Sequence, residues 1–211
     1  MTDPYLIGSV RETNTSVTIE VVTPTGEVKR MRLTAKIWGT LGLSRADVIT
    51  RETYERISEY SEMCEAVTKT LRILSDGMYS IRALSEKLGR LGFSKEAAEA
   101  ATALALKKGL INEKAQAEAI AERQVTKLHR GRARVIRELT AKGYSAGIAR
   151  EAADSVPIAA YEEALEISMM KKCRTVIPND KKERDKLTAS LVRLGFSLGE
   201  ILKKMNENGY T

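Results

Sequence analysis

Leu88-Gly-Arg-Leu-Gly92-Phe93-Ser94 recurs as Leu139-Thr-Ala-Lys-Gly143-Tyr144-Ser145 and again as Leu191-Val-Arg-Leu-Gly195-Phe196-Ser197, with the glycines 51 and 52 residues apart. Each phrase reads as a helix that packs a leucine and stops at glycine, the residue that adopts the left-handed conformation at least cost. A large apolar residue then anchors the corner, and a serine caps the next helix. A supersecondary unit repeated at a fixed period marks a helical repeat array, in which function is sought on the surfaces of the repeats.

Working outward from the phrases, Thr50 predicts the N-cap of a long helix running to about Ser75. Ile57, Tyr60, Cys64, Val67, Leu71 and Leu74 alternate spacings of three and four on one face, and Asp76-Gly77 ends it. Ser80 caps a helix with Leu84, Leu88 and Leu91 inward, and Ser94 opens an alanine-rich helix that stops at Gly109. Asn112 caps a third, with Ala117, Ile120, Ala121, Val125 and Leu128 inward until Arg130-Gly131. Helices over 132–142 and 145–154 follow. Ser155 and Pro157 then open the helix of Tyr161, Leu165, Met169 and Cys173, which the Pro178 loop breaks. The last pair spans 182–194 and 197 to about 208, where Ser197-x-x-Glu200 forms a capping box and Gly209 terminates.

The first fifty residues differ. Leu6 to Arg11, Val17 to Val22 and Val28 to Leu33 are short, β-branched segments separated by the turn signals Thr13-Asn14 and Pro24-Thr-Gly26. They predict a small antiparallel meander of three strands. Leu33, Ile37, Trp38, Leu41 and Leu43 offer a cover for one face, with Trp38 read as packing. The expected fold class is therefore mainly α: tandem three-helix repeats in a curved elongated array behind a small β meander. The expected segments are 1–50 for the β-rich part, 51–58 for the start of the long helix, and 59–109, 112–156 and 158–209 for the three repeats.

Composition limits the function classes. The chain has 43% apolar and 30% charged residues, enough of each for a packed, soluble protein. Thr2-Asp3-Pro4 is no signal-peptide opening, and Ala100 to Leu106 is far shorter than the roughly 20 residues of a membrane span, so cytoplasmic residence is the expectation. Cys64 and Cys173 read as small core residues, and with one histidine they cannot supply a structural zinc site. Residues 1–78 carry 10 Lys/Arg and 11 Asp/Glu, so the remaining 25 and 17 give residues 79–211 a formal charge of +8. The repeat array is the basic part, which points to a polyanion or an acidic protein surface.

At this point the chain resembles the RecX family, bacterial regulators of the recombinase RecA. The resemblance is carried by Leu71-Arg-Ile-Leu74, Tyr79-Ser80-Ile-Arg82-Ala-Leu84 through Gly92-Phe93-Ser94, and Gly109-Leu-Ile-Asn112-Glu113. It continues through Arg123, Arg130-Gly131-Arg132, Ile136-Arg137-Glu138-Leu139 and Lys142-Gly143, and closes on Lys186-Leu187 and Leu191 through Ser197. Two features depart from the family pattern. Ala115-Gln116-Ala117 stands where an aromatic residue is frequent, and Leu91 and Leu194 stand where a basic residue usually precedes the repeat glycine.

The resemblance implies a non-enzymatic protein that binds RecA and its single-stranded-DNA filament, with the helical array in the filament groove. It further implies that the protein restrains filament growth in homologous recombination, DNA repair and the SOS response. No catalytic residue, cofactor or metal comes with it, and the expected form is a monomer.

The residues offer their own candidates. Lys127, Arg130, Arg132, Arg134 and Arg137 occur with His129 and no acid between 127 and 137, and Lys142 follows. Lys127 and Arg130 fall where a helix C-terminus favours cations, so part of the run has a structural explanation. Arg132 and Arg134 begin a helix, where positive charge opposes the dipole, and are the foremost candidates for contact with DNA phosphate or an acidic groove. Their mutual repulsion asks for an external offset. Lys171, Lys172 and Arg174 are secondary candidates, and a solvated basic face is the competing reading for both groups.

Catalytic arrangements lack parts. His129 has no carboxylate beside it in sequence, and Gly89-x-x-Gly92 is a helix end without a following Gly-Lys-Ser/Thr. A DNA-binding helix-turn-helix regulator over 132–154 is one alternative, although its second helix offers only Arg150 for base edges. A helical scaffold with no nucleic-acid role is another.

Overall fold

The computed structural model describes residues 4–173 and 180–207. Arg174, the Pro178 loop, the side chain of Cys173 and the Gly209 terminator lie outside the described residues. Contacts divide the chain into two compact units, one of Met1–Gly77 with Leu84–Ile111 and one of Met78–Ala83 with Asn112–Thr211.

The first unit opens with strands β1 (Tyr5–Glu12), β2 (Ser16–Val22), β3 (Val28–Thr34) and β4 (Val48–Ile49), between which lies helix α1 (Ala35–Leu41). All pairings are antiparallel, in the order β3-β2-β1-β4. The expected three-strand meander is thus a four-stranded sheet. β4 has two residues, too few for any periodicity, and is held by Ile7 N–H donating to Asp47 O at 3.0 Å and Ala46 N–H donating to Ile7 O at 2.8 Å. Alternation along the strands buries Ile7, Val17, Ile19, Val21, Met31 and Leu33 on one face. Trp38 from α1 and Ile57 complete that core, and the indole N–H of Trp38 donates to Glu12 Oε1 at 3.2 Å. Trp38 is packing, as its surroundings in the sequence suggest.

Helix α2 (Arg51–Asp76) begins at Thr50, whose hydroxyl accepts from Thr53 N–H at 3.2 Å. Its inward face follows the predicted stripe only at first. Ile57 is buried, but further along Ser61, Ala66, Thr70 and Ile73 are inside while Leu71 is 49% exposed. The partner explains the rotation. α4 (Lys95–Lys107) presents Ala97, Ala98, Ala101, Thr102 and Ala105, and small residues on both helices let the backbones approach, leaving the larger Leu71 outside. Glu62 of α2 fastens the start of α4 by accepting from Ser94 N–H at 2.6 Å and from its hydroxyl at 2.8 Å. Helix α3 (Ile81–Arg90) buries Leu84 and Leu88, whereas Leu91 lies beyond its end and is exposed, against expectation.

The second unit contains α5 (Glu113–Thr126), α6 (Arg132–Ala141), α7 (Ala146–Asp154), α8 (Ile158–Cys173), α9 (Lys181–Leu194) and α10 (Leu198–Glu207). Asn112 caps α5 through Ala115 N–H at 3.1 Å, and the Ser197/Glu200 capping box closes with distances of 2.6 and 3.2 Å. The core gathers Val125, Val135, Leu139, Tyr144, Leu165, Leu191, Phe196 and Ile201. α5 stops at Thr126, one turn before the expected Arg130-Gly131, so Leu128 is exposed rather than inward. Among the described residues no helix is long and apolar enough to cross a membrane, and no cluster of metal-binding side chains is found.

The glycines of all three phrases take positive φ, at 94° for Gly92, 89° for Gly143 and 98° for Gly195. In the second unit the phrases also join helices end to end. Gly131, at the start of α6, donates its N–H to Leu194 O at 2.9 Å, and Ala133 N–H donates to Gly195 O at 3.1 Å. The carbonyls left over at the end of α9 thereby satisfy amides left over at the start of α6. A methyl group at Gly131 would overlap the carbonyl of Gly195 and the amide nitrogen of Phe196, so no side chain fits there. The same device recurs where the Ser80 hydroxyl donates to Lys142 O at 2.8 Å while accepting from Ala83 N–H at 3.1 Å.

Candidate functional site

The basic run between α5 and α6 is laid out by how the first helix ends. Lys127 continues the last turn of α5 as its C-cap, and His129 carries φ of 49°, a left-handed conformation that glycine would adopt more cheaply. His129 N–H donates to Val125 O at 3.0 Å and Arg130 N–H to Gln124 O at 3.1 Å, while His129 O accepts from the Ser168 hydroxyl of α8 at 3.0 Å. The turn is therefore held firmly, and it aims Arg130 back over α6. Burial pushes the His129 pKa down, the charge of Lys171 adds to this, and Glu163 opposes it. Nδ1 of His129 is enclosed without a hydrogen-bond partner among the described residues, consistent with a neutral ring.

From that turn the cluster divides. Arg132 faces the end of α7, where its Nε lies 2.6 Å from Asp154 Oδ1. The hydrogen bond holds the Asp154 carboxyl below, and the Arg132 guanidinium above, their ordinary ranges. A cation at a helix N-terminus and a carboxylate at a helix C-terminus each oppose their own dipole, and here they neutralise one another. Arg130 and Arg134 turn the other way and share a single oxygen: Glu138 Oε1 is 3.0 Å from Arg130 Nη1 and 2.6 Å from Arg134 Nη2.

These pairs correct the expectation that the cluster's repulsion must be offset from outside. Glu138, one position past the acid-free run and one helical turn from Arg134, supplies part of the offset, and Asp154 supplies the rest. Arg132 and Arg134, the foremost contact candidates, are both ion-paired, and Arg132 has the plainest structural role of the set. Lys127, Arg137 and Lys142 are exposed, and no ion pair is recorded for them among the described residues. Lys171 and Lys172 are exposed on the last turn of α8.

One juxtaposition was hidden in the sequence. Arg130, Arg134, Lys172, Ser190, Arg193 and Leu194 line one open depression of about 260 Å³. Arg193 belongs to the third glycine phrase and reads there as part of a helix end, and α9 brings it beside the first basic run. By contrast, α7 as a recognition helix exposes Arg150 beside the carboxylates of Glu151 and Asp154, which suits a DNA groove poorly.

No protein-family profile matches the chain. It is 28% identical over 172 residues to the regulatory protein RecX of Caldanaerobacter subterraneus subsp. tengcongensis, covering 82% of this chain and 85% of that one. A crystal structure of a regulatory protein RecX superposes with a TM-score of 0.73 at 16% identity, over 93% of this chain and 96% of the other. RecX from Lactobacillus salivarius superposes with a TM-score of 0.63 at 20% identity, over 69% and 96%. The likeness to RecX that the sequence carries thus extends over most of its length and to the fold, a mainly helical chain behind an N-terminal antiparallel sheet.

Proposed function

We propose that this chain, similar to RecX in sequence and fold, is a non-enzymatic regulator that binds RecA and RecA filaments on single-stranded DNA and limits filament growth. The observation that carries this reading is the sequence similarity to a RecX regulatory protein across four-fifths of the chain. The charge distribution agrees with it. A RecA–DNA filament is a polyanionic partner, and the excess positive charge lies beyond residue 78, where Lys127, Arg137 and Lys142 stand exposed. In this reading the helices of 59–109, 112–156 and 158–209 act as three successive repeats, and the protein works as a monomer in the cytoplasm.

The test is a titration into RecA-dependent ATP hydrolysis on single-stranded DNA. Inhibition at micromolar protein is expected, weakened when Lys127, Arg137 and Lys142 are together reversed to Glu at unchanged helicity. Full hydrolysis at saturating protein refutes the reading. Inhibition that survives the triple reversal leaves RecA as the partner and reduces those three residues to a solvated face.

A further inference from the structure

We propose that the depression lined by Arg130, Arg134, Lys172 and Arg193 is a phosphate-binding pocket for single-stranded nucleic acid, in which Glu138 is an internal anion that a phosphodiester displaces. The pocket rests on the RecA reading only for the biological source of the strand.

The charge balance comes first. Four cations converge from the α5–α6 turn, α6, the end of α8 and α9, against one carboxylate, Glu138, giving a formal +3. Among the described residues no ion pair holds Lys172 or Arg193, so no described carboxylate offsets their charges. Arg130 and Arg134 keep side-chain exposures of 25% and 42%, enough to reach a ligand and low enough that solvent screens them less than surface lysines.

Geometry then selects the anion. Both guanidiniums already meet within hydrogen-bond distance of a single carboxylate oxygen, at 3.0 and 2.6 Å, which is the convergence that a tetrahedral oxyanion needs. Each guanidinium carries five N–H donors, so most remain available. The depression of about 260 Å³ compares with roughly 30 Å³ for each water-sized group, so the five heavy atoms of a phosphate fit with space for the chain on either side.

The lining also separates nucleic acid from an acidic peptide. Among the described lining residues Leu194 is the one apolar side chain and none is aromatic, whereas peptide docking is anchored by buried apolar or aromatic contacts. The described lining offers four cations and no stacking platform, which favours contact with the phosphate backbone and no choice of sequence. Exposed Arg137, on α6 beyond Arg134, and exposed Lys171, beside Lys172, continue the positive charge past the pocket, as a polymer with one charge per residue would use and a lone phosphate would not.

The experiment measures binding of the full chain to a fluorescent oligo-dT strand by anisotropy, with RecA absent, over a range of salt. Arg193→Glu and Lys172→Glu should each weaken binding about tenfold and flatten the log–log salt slope by about 0.7, the value for one phosphate no longer neutralised on a single strand. Lys107→Glu makes the same charge change on α4 and should leave binding nearly unchanged. Glu138→Gln frees the two guanidiniums and should tighten binding several-fold. Far-UV circular dichroism verifies that each variant is folded.

Unchanged affinity in Arg193→Glu and Lys172→Glu overturns the pocket, and so does weaker binding in Glu138→Gln. Polyglutamate bound as tightly as oligo-dT with the same dependence on the variants overturns the nucleic-acid assignment. Inorganic phosphate competing as well as the strand, phosphate for phosphate, overturns it too. If the chain inhibits RecA but does not bind oligo-dT, the pocket falls and the RecA reading stands. If oligo-dT binding depends on the pocket while RecA hydrolysis is untouched, the reverse holds.

Discussion

Replacing Gly131 with alanine isolates the end-to-end junction of α9 and α6, because the backbone there is ordinary. Its φ of −76° and ψ of 163° suit any residue, so the substitution introduces no conformational strain. The added methyl instead overlaps the Gly195 carbonyl and the Phe196 nitrogen, and the two helices must separate. That breaks the bonds from Gly131 N–H to Leu194 O and from Ala133 N–H to Gly195 O, each contributing about 1 kcal/mol net. Loosened packing beside Val135, Leu191 and Phe196 adds a comparable cost, for a total of about 2–4 kcal/mol. Thermal unfolding followed by far-UV circular dichroism should show a fall in Tm of roughly 5–15 °C.

Three companions separate this cause from others. Gly92→Ala meets open space at φ of 94°, so it incurs only left-handed strain, about 1–2 kcal/mol less the roughly 0.5 kcal/mol gained by restricting the unfolded chain. Gly89→Ala, inside α3 with nothing near its new methyl, should stabilise by up to about 1 kcal/mol. Gly131→Ser is the decisive variant. Serine is a better helix N-cap than alanine by about 0.5–2 kcal/mol, yet it brings the same Cβ into the same carbonyl. It should therefore stay less stable than the native chain, regaining at most that capping contribution over Gly131→Ala. Recovery of native stability in Gly131→Ser, or a loss in Gly131→Ala no greater than in Gly92→Ala, refutes the junction as the source of stability.

Two further outcomes are expected. Ser80→Ala removes both the cap on Ala83 N–H and the donor to Lys142 O at a buried position, and should cost about 2 kcal/mol in urea unfolding, against about 1 kcal/mol for Ser145→Ala, an exposed cap on Ile148 N–H alone. His129, the single histidine, has its pKa held down in the fold, so the unfolded chain takes up the proton first. Stability from this group is complete above about pH 6.5 and declines as pH falls from there through the lowered value, and His129→Asn, which tolerates the left-handed backbone, should abolish that part of the slope. Urea midpoints compared between neutral and mildly acidic buffer measure it.

Much of this protein was legible because its signals are local. A cap or a stop is encoded within about four residues, and Thr50, Ser94, Asn112, Ser145 and the Ser197/Glu200 box all act where their sequence places them. The predicted stripe on α2 succeeded at Ile57 and failed at Leu71, since periodicity gives the existence of an apolar face but the alanine-rich partner helix chooses its rotation. β4 escaped because two residues carry no period.

Charge was the least legible property. The sequence placed Lys127, Arg130, Arg132, Arg134 and Arg137 in one run and determined that they would crowd the start of α6. Only the tertiary structure decided that Arg132 would be neutralised by Asp154, that Arg130 and Arg134 would share Glu138, and that Arg193 from a later helix would face them across a depression. The physical reason is range: hydrogen bonds of the backbone at helix ends are settled between near neighbours in sequence, whereas an ion pair depends on distance in space, which helix packing alone sets.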